Sequence, residues 1–437
     1  MHKPPLYASQ GLCCEPKVSA NVSLAIGHCQ EITVRALPDH IAACAVSALL
    51  ALSSLAAAAP VDPTAARKLH FDAIVIDTHD DTTQRMLDPA FDLGERHADG
   101  NIDIPRMREG GLDAVFFSIW IPGTVTGEVA VQRALTQIAA VQRQVAAHPR
   151  DLVLVTTADG IRKAAAEGRI AVLLGVEGGH MIGNDLANLR RFFALGVRYM
   201  TLTHSVNVDW ADSSTDRPRN VGLNDFGREV VREMNRLGMM IDISHVSDAT
   251  FDDVLALSTA PVIASHSSAR ALCRVPRNMN DRMLRDLAAR GGVADVNFHM
   301  GFLAQEYSNA LKANDGRIDK SIDAQIVERC GDNEACQIIT GSQLARERVT
   351  NGTLPRVEWN AIVDHMAHAA RVAGVQHVGL GSDFDGADMP YGMEDVSGLP
   401  KITAELLARG YKPQEVRGML GGNLLRVMEQ VEAAARR

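Results

Sequence analysis

The sequence predicts an α/β fold: a TIM-like (β/α)8 barrel with an insertion between strands seven and eight. Three observations predict it. Eight short, almost wholly apolar runs recur between residues 71 and 382, as strands buried on both faces of a parallel sheet require. Stretches with apolar residues at helical spacing separate several of them. The runs also end repeatedly on a lone His, Asp or Glu, and a barrel brings all its strand ends to one mouth. A doubly wound open sheet is the alternative, but no Gly-rich phosphate loop follows the first strand.

The strands are expected at 71–77, 112–119, 170–176, 197–203, 239–244, 261–265, 292–298 and 377–382. Between them, Gly222 to Leu237 sets Phe226, Val230, Val231, Met234 and Leu237 on one helical face. Leu186 to Ala194 and Ala361 to Val372 read the same way. A ninth run, Leu152–Val155, is an accessory strand in this scheme. Residues 121–150 form one long Gln/Ala-rich helix pattern. Residues 301–360 are polar and charged and read as the insertion. Insertions after barrel strands lie on the catalytic face, so this one is a candidate lid, with a dimer contact or a spacer as the plain alternatives. There is no internal repeat and no second domain boundary.

The 437 residues suffice for one large barrel or two ordinary domains, and 46% hydrophobic with 22% charged residues is the balance of a globular enzyme. A net charge of −9 without a long basic run argues against nucleic acid as the main partner. Arg35 precedes an uncharged Ala/Leu/Ser-rich run, Ile41 to Ala59, that exits through Ala57-Ala58-Ala59-Pro60. That is the pattern of a secretory signal peptide, and its small-residue exit favours cleavage over a transmembrane anchor. Because the basic start lies far from Met1, the translation start is read as placed too early. Residues 1–59 are therefore expected to be a leader and 60–437 a single hydrolase barrel domain, exported to the periplasm or secreted. No stable membrane anchor is expected in the mature form, since the end of the chain, Val431 to Arg437, has no hydrophobic tail. Cys273, Cys330 and Cys336 follow the leader, and the last two flank the polar loop Gly331–Ala335. A local disulfide and two free thiols both stay open there.

The strand ends carry the chemistry. Strand one presents His79 and Asp81, strand three Glu177, strand four His204, strand five His245, strand six His266 and strand eight Asp383. One such histidine is most often a packed or loop residue, whereas four with three carboxylates at corresponding positions point to a metal site. Imidazole nitrogen and carboxylate oxygen suit zinc. His79 with Asp81 makes one half-site, His245 with His266 the other, and Glu177 between them can give one oxygen to each metal. Two divalent ions about 3.5–4 Å apart can share a water and make it hydroxide at neutral pH. Their charge also stabilises the oxyanion formed when hydroxide adds to a carbonyl. Asp383 is left as general base and acid, and His204 to hydrogen-bond the oxyanion. His180, set off from Glu177 by two glycines, reads as supporting or structural, as do His299, His365, His368 and His377. Trp120 and Trp210 either line the pocket or pack in the core.

These residues resemble the membrane (renal) dipeptidase family of zinc peptidases, within the amidohydrolase barrels. The similarity runs from about residue 66 to about residue 430 and includes Asp103-Ile-Pro-Arg106, Tyr199-Met-Thr-Leu-Thr-His204, Asp383-Phe-Asp-Gly386 and Gly421-Gly-Asn-Leu-Leu-Arg426. It implies two Zn2+ per chain: His79 and Asp81 on one, Glu177 bridging, His245 and His266 on the other. It also implies that His204 contacts the substrate carbonyl and that Asp383 handles the proton. By the same resemblance Arg277 grips the terminal carboxylate of a small dipeptide substrate, with tolerance of a D-residue on that side, and a homodimer is expected. The family commonly has Asn between the first His and Asp, where this chain has Asp80. Other amidohydrolase reactions, such as deacylation of N-acyl amino acids or lactam opening, fit the same metals, as does a non-catalytic metal-binding protein. Dependence on both free termini of a dipeptide separates the first two; the filled catalytic positions argue against the last.

Overall fold

The computed structural model describes residues 62–313 and 317–435, so the expected leader at 1–59 lies outside the described residues. Nine strands make one parallel sheet: β1 Ile76–Asp80, β2 Ala114–Trp120, β3 Leu152–Leu154, β4 Ile170–Glu177, β5 Val197–Thr201, β6 Met240–Asp242, β7 Ile263–Ala264, β8 Val293–Val296 and β9 Val378–Leu380. Their order is β1-β2-β4-β5-β6-β7-β8-β9, with β3 paired only to the first residues of β4. The two ends meet. Asp80 bridges Phe384, the Asp81 N–H donates to the Phe384 carbonyl (2.8 Å) and the Asp383 N–H to the His79 carbonyl (3.0 Å). This is the eight-stranded barrel, with Leu152–Leu154 as the accessory strand.

Alternation along the buried strands separates two layers of core. Val115, Phe117 and Ile119 of β2 and Val172, Leu174 and Val176 of β4 pack outward against the helices. Ala114 and Phe116, Ala171 and Leu173 turn the other way and cluster with Ile76, Met240, Ile263 and Val293, each at or near the start of its strand. Leu424, Val427, Met428 and Val431 of the C-terminal helix Asn423–Ala435 join that cluster. The strand starts are thus plugged with apolar side chains, and the strand ends are left for polar ones.

The helices start and stop on local chemistry. In Asp225–Leu237 the Asn224 side chain accepts from the Gly227 N–H, and Gly238 ends the helix at φ 76°. The long helix runs Gly127–Ala147, shorter than the 121–150 pattern because its first residues form a loop containing Pro122 and Gly123. The insertion is helical: Gln305–Ala313, Arg317–Cys330 and Glu334–Thr350. A disulfide joins Cys330 to Cys336. Glu334 pairs with Arg133, and Arg346 stacks over Tyr391. Between the last of these helices and residues 98–101 lies a cleft of about 800 Å³ that reaches Asp385. Among the described residues, no helix is long and apolar enough to cross a membrane.

Candidate metal centre

At the mouth of the barrel, Glu177, the last residue of β4, has a histidine group on each side. Its Oε1 lies 2.9 Å from His245 Nε2 and 3.1 Å from His266 Nε2, and its Oε2 lies 3.5 Å from His79 Nε2. His79 Nε2 is in turn 3.5 Å from Asp81 Oδ2 and 3.9 Å from Asp383 Oδ1. Three overlapping sets each bring their donor atoms within 4.8 Å of one another: His79–Glu177–His266, Glu177–His204–His245 and His79–Asp81–Asp383. His204 also sits with its ring 4.4 Å from that of His245 and 5.4 Å from Trp120.

Local backbone and neighbours aim these groups. His245 and Asp383 both adopt left-handed conformations, at φ 67° and 65°, uncommon for non-glycine residues, and these turn their side chains into the mouth. Gly386 leaves room for two acids, because a Cβ there would lie 2.1 Å from Asp81 Oδ2 and 2.6 Å from Asp383 Oδ1. His79 Nδ1 meets the Tyr199 hydroxyl at 2.9 Å, and that ring fits only because residue 175 is glycine, whose Cβ would fall 2.0 Å from Tyr199 Cζ. His266 Nδ1 lies 2.7 Å from Ser265 Oγ. The Asn297 side-chain amide donates to Asp383 Oδ2 at 2.8 Å.

The electrostatics suit cations. Burial works against ionisation of Glu177, but the imidazoles of His79 and His204, with those of His245 and His266 close by, outweigh it and hold its carboxyl well below the usual range. Burial, with His79 close by, pushes His266 down to about 3. Burial, with Arg277 and His204 near, holds His245 well below its ordinary value. Neutral imidazoles and an ionised carboxylate are the states in which these groups bind metal. His79 differs: burial opposes its charge, yet the facing groups, Glu177 and Asp81 among them, hold it above its ordinary value. His79 Nε2 and Asp81 Oδ1 are buried and form no hydrogen bond among the described residues. An orphaned imidazole nitrogen with carboxylate oxygens of Asp81, Glu177 and Asp383 within 3.9 Å fits a zinc-type ion.

The chain matches the membrane dipeptidase family, peptidase family M19, over residues 64–437. It belongs to that family. It is 37% identical over 339 residues to Dipeptidase 3 of Mus musculus, an alignment covering 76% of this chain and 58% of the relative. Dipeptidase 3 of Rattus norvegicus gives 37% over 339 residues, 76% of this chain and 59% of the relative. The chain therefore spans under two thirds of the length of these curated relatives. Among solved structures it resembles a metallo peptidase from Rhodobacter sphaeroides liganded with a phosphinate mimic of the dipeptide L-Ala-D-Ala: 29% identity, TM-score 0.67, 82% of this chain and all of that one.

In this membrane dipeptidase family member, Arg277 lies beside the cluster rather than at the surface. It is 6% exposed, donates to Ser267 Oγ (3.2 Å) and to the His266 carbonyl (3.1 Å), and lies over the Phe302 ring. Nearby Arg270 and Arg282 are instead paired with Asp248 and with Asp252 and Asp286. Arg277 makes no ion pair among the described residues, and its Nε is buried without a partner. Trp210 is core, whereas Trp120 is half-buried against His204. His365, His368 and His377 hold structural hydrogen bonds, to Ala269 and Leu303, Asp281 and Gly292. His299, read as structural, lies close enough to the centre for the charges of Asp383 and Arg277 to bear on it. Sequence reasoning missed Asn297. Its signal was a polar residue at the end of strand seven, a strand to which no functional residue had been assigned.

Proposed function

We propose that the protein is a binuclear zinc dipeptidase that hydrolyses free dipeptides. The observation that carries this reading is Glu177: its two carboxylate oxygens face two different sets of ligand atoms, as a bridge between two ions requires. His79 and Asp81 would hold one ion, His245 and His266 the other. The bound ions would supply a water of lowered pKa and positive charge for the developing oxyanion.

The chain's own groups do the rest. Arg277, buried and free of any carboxylate among the described residues, offers its planar fork to the substrate's terminal carboxylate. His204 donates a hydrogen bond to the carbonyl oxygen as charge builds on it. Asp383, its Oδ2 held by Asn297, takes a proton from the attacking water. It returns that proton to the leaving amine as the new C–O bond replaces the C–N bond. The phosphinate dipeptide mimic held by the Rhodobacter sphaeroides metallo peptidase supports this substrate class and tolerance of a D-residue at the carboxylate end. Export fits the disulfide at Cys330–Cys336, because such bonds persist in oxidising compartments.

The test is hydrolysis of a free dipeptide panel with zinc, after chelation, and with each C-terminus amidated, using wild type and Arg277→Met. Cleavage is expected to need metal and the free carboxylate. Arg277→Met is expected to lose about 10–100-fold on free dipeptides, the worth of a charge-assisted pair, and far less on amides. Equal losses on both would remove Arg277 from carboxylate binding. Turnover of N-acyl amino acids or lactams in place of dipeptides would keep the centre and replace the substrate.

A further inference from the structure

The two histidines nearest the middle of the centre are supported from behind in different ways. His79 Nδ1 meets the Tyr199 phenol at 2.9 Å. A neutral phenol both donates and accepts, so this contact alone does not decide which ring nitrogen of His79 carries the proton. His266 Nδ1 meets Ser265 Oγ at 2.7 Å, and Ser265 Oγ lies 2.6 Å from Asp242 Oδ2. Asp242 is 0% exposed and lies at the end of β6. Its two oxygens accept from the Ser244 N–H (3.0 Å), the Ser265 N–H (2.8 Å), the Thr201 hydroxyl and the Ser265 hydroxyl. Four donors at one carboxylate leave it in the acceptor role. The single hydroxyl proton of Ser265 therefore points to Asp242, and the oxygen is left to accept from His266 Nδ1–H.

We propose that Asp242, acting through the Ser265 hydroxyl, is the positioning element of His266. The pair fixes the imidazole with Nδ1 protonated and Nε2 directed to Glu177 and the metal. A carboxylate behind a ligating imidazole raises its basicity and locks its rotation. Here a serine is interposed, so the carboxylate stays in the barrel interior while its influence reaches the ring. The fold supplies this arrangement through the stagger of β6 and β7: Asp242 pairs with Ile263, and Ser265 and His266 follow directly where β7 ends. The inference rests on the binuclear reading above, and it assigns to one hydroxyl a selective effect on one of the two metals.

Metal-free protein titrated with Co2+ against a chromophoric chelator, with the visible cobalt bands followed, tests it. Wild type is expected to bind two equivalents. Ser265→Ala is expected to weaken one equivalent about 10–100-fold and to alter its cobalt bands, leaving the other unchanged. Ser265→Thr, which keeps the oxygen, should restore both. Thr201→Val removes a different donor from Asp242 and should leave both equivalents as in wild type. If Ser265→Ala fails to fold, Ser265→Cys carries the same expectation, because sulfur is a weak acceptor. Two wild-type equivalents with unchanged affinities in the folded Ser265 variant would overturn the proposal alone. So would equal weakening of both, or the same loss in Thr201→Val. Fewer than two equivalents in wild type would overturn the binuclear reading and this inference with it.

Discussion

Glu177 divides the candidate metal centre into two sides that are built by different means. On the side of His79, Asp81 and Asp383, the backbone seam of the barrel brings the side chains together, and Tyr199 and Asn297 then hold His79 and Asp383. The strands that carry them are the first and last of the barrel, joined by hydrogen bonds from the Asp81 N–H to Phe384 and from the Asp383 N–H to His79. These partners lie about three hundred residues apart in sequence, as the contact from Ser382 to Asp77, with a separation of 305, illustrates. On the side of His245 and His266, consecutive strands bring the candidate ligands together, and a side-chain network around Asp242 reaches His266 through Ser265. Closing the barrel and building the acidic side are thus the same event. The histidine side depends instead on a few hydroxyl groups that could change without opening the sheet.

Glu177→Ala should give the largest effect, because it removes the one group both sides share. Metal stoichiometry should fall below two per chain and dipeptide turnover should be lost, read by metal analysis and by hydrolysis assays. Two tightly held metals after this change would mean that the sides are independent sites. Next in size is Asp383→Asn, which touches the acidic side alone. It should depress turnover about 10²–10⁴-fold, the usual worth of a general acid–base, while both metals stay bound. Unchanged turnover would move the proton-transfer role elsewhere, and loss of a metal would make Asp383 a ligand.

The same division explains what was legible in the sequence. The strands were legible because parallel barrel strands, covered on both faces, read as uninterrupted apolar runs; even the accessory Leu152–Leu154 stood out. Boundaries were less so: the run 261–265 holds only a two-residue strand, Ile263–Ala264, because the chain leaves the ladder to present Ser265 and His266. The candidate donor atoms were legible because a His, Asp or Glu directly after an apolar run is conspicuous. Groups that act through a second residue were not. Asn297 matters through Asp383, 86 positions away, and Asp242 through Ser265, 23 positions away. No local pattern announces such a bond. Arg277 was picked out by family resemblance alone, since only its burial and lack of an acidic partner among the described residues separate it from Arg270 and Arg282.

The smallest predicted effect is the sharpest on the comparison. Ser382 Oγ donates to Asp77 Oδ2 and accepts from the Phe384 N–H at 3.1 Å, so it ties β1 to the residue whose carbonyl holds Asp81. Asp77 is 1% exposed, and burial, offset in part by Ser382, pushes its carboxyl up to about 6. Ser382→Ala removes one donor from that buried acid and one acceptor from the Phe384 amide. The loss should cost about 1–3 kcal/mol of stability, seen as a lower midpoint in thermal unfolding. Because the seam loosens on the Asp81 side, the metal equivalent held by His79 and Asp81 should weaken a few-fold, by about 1 kcal/mol or less. The equivalent held by His245 and His266 should not move, since its network runs through Asp242 and not through Ser382. A Co2+ titration that resolves the two equivalents decides it. Equal weakening of both would mean that the barrel seam and the histidine network are one mechanical unit, and the division at Glu177 would fall.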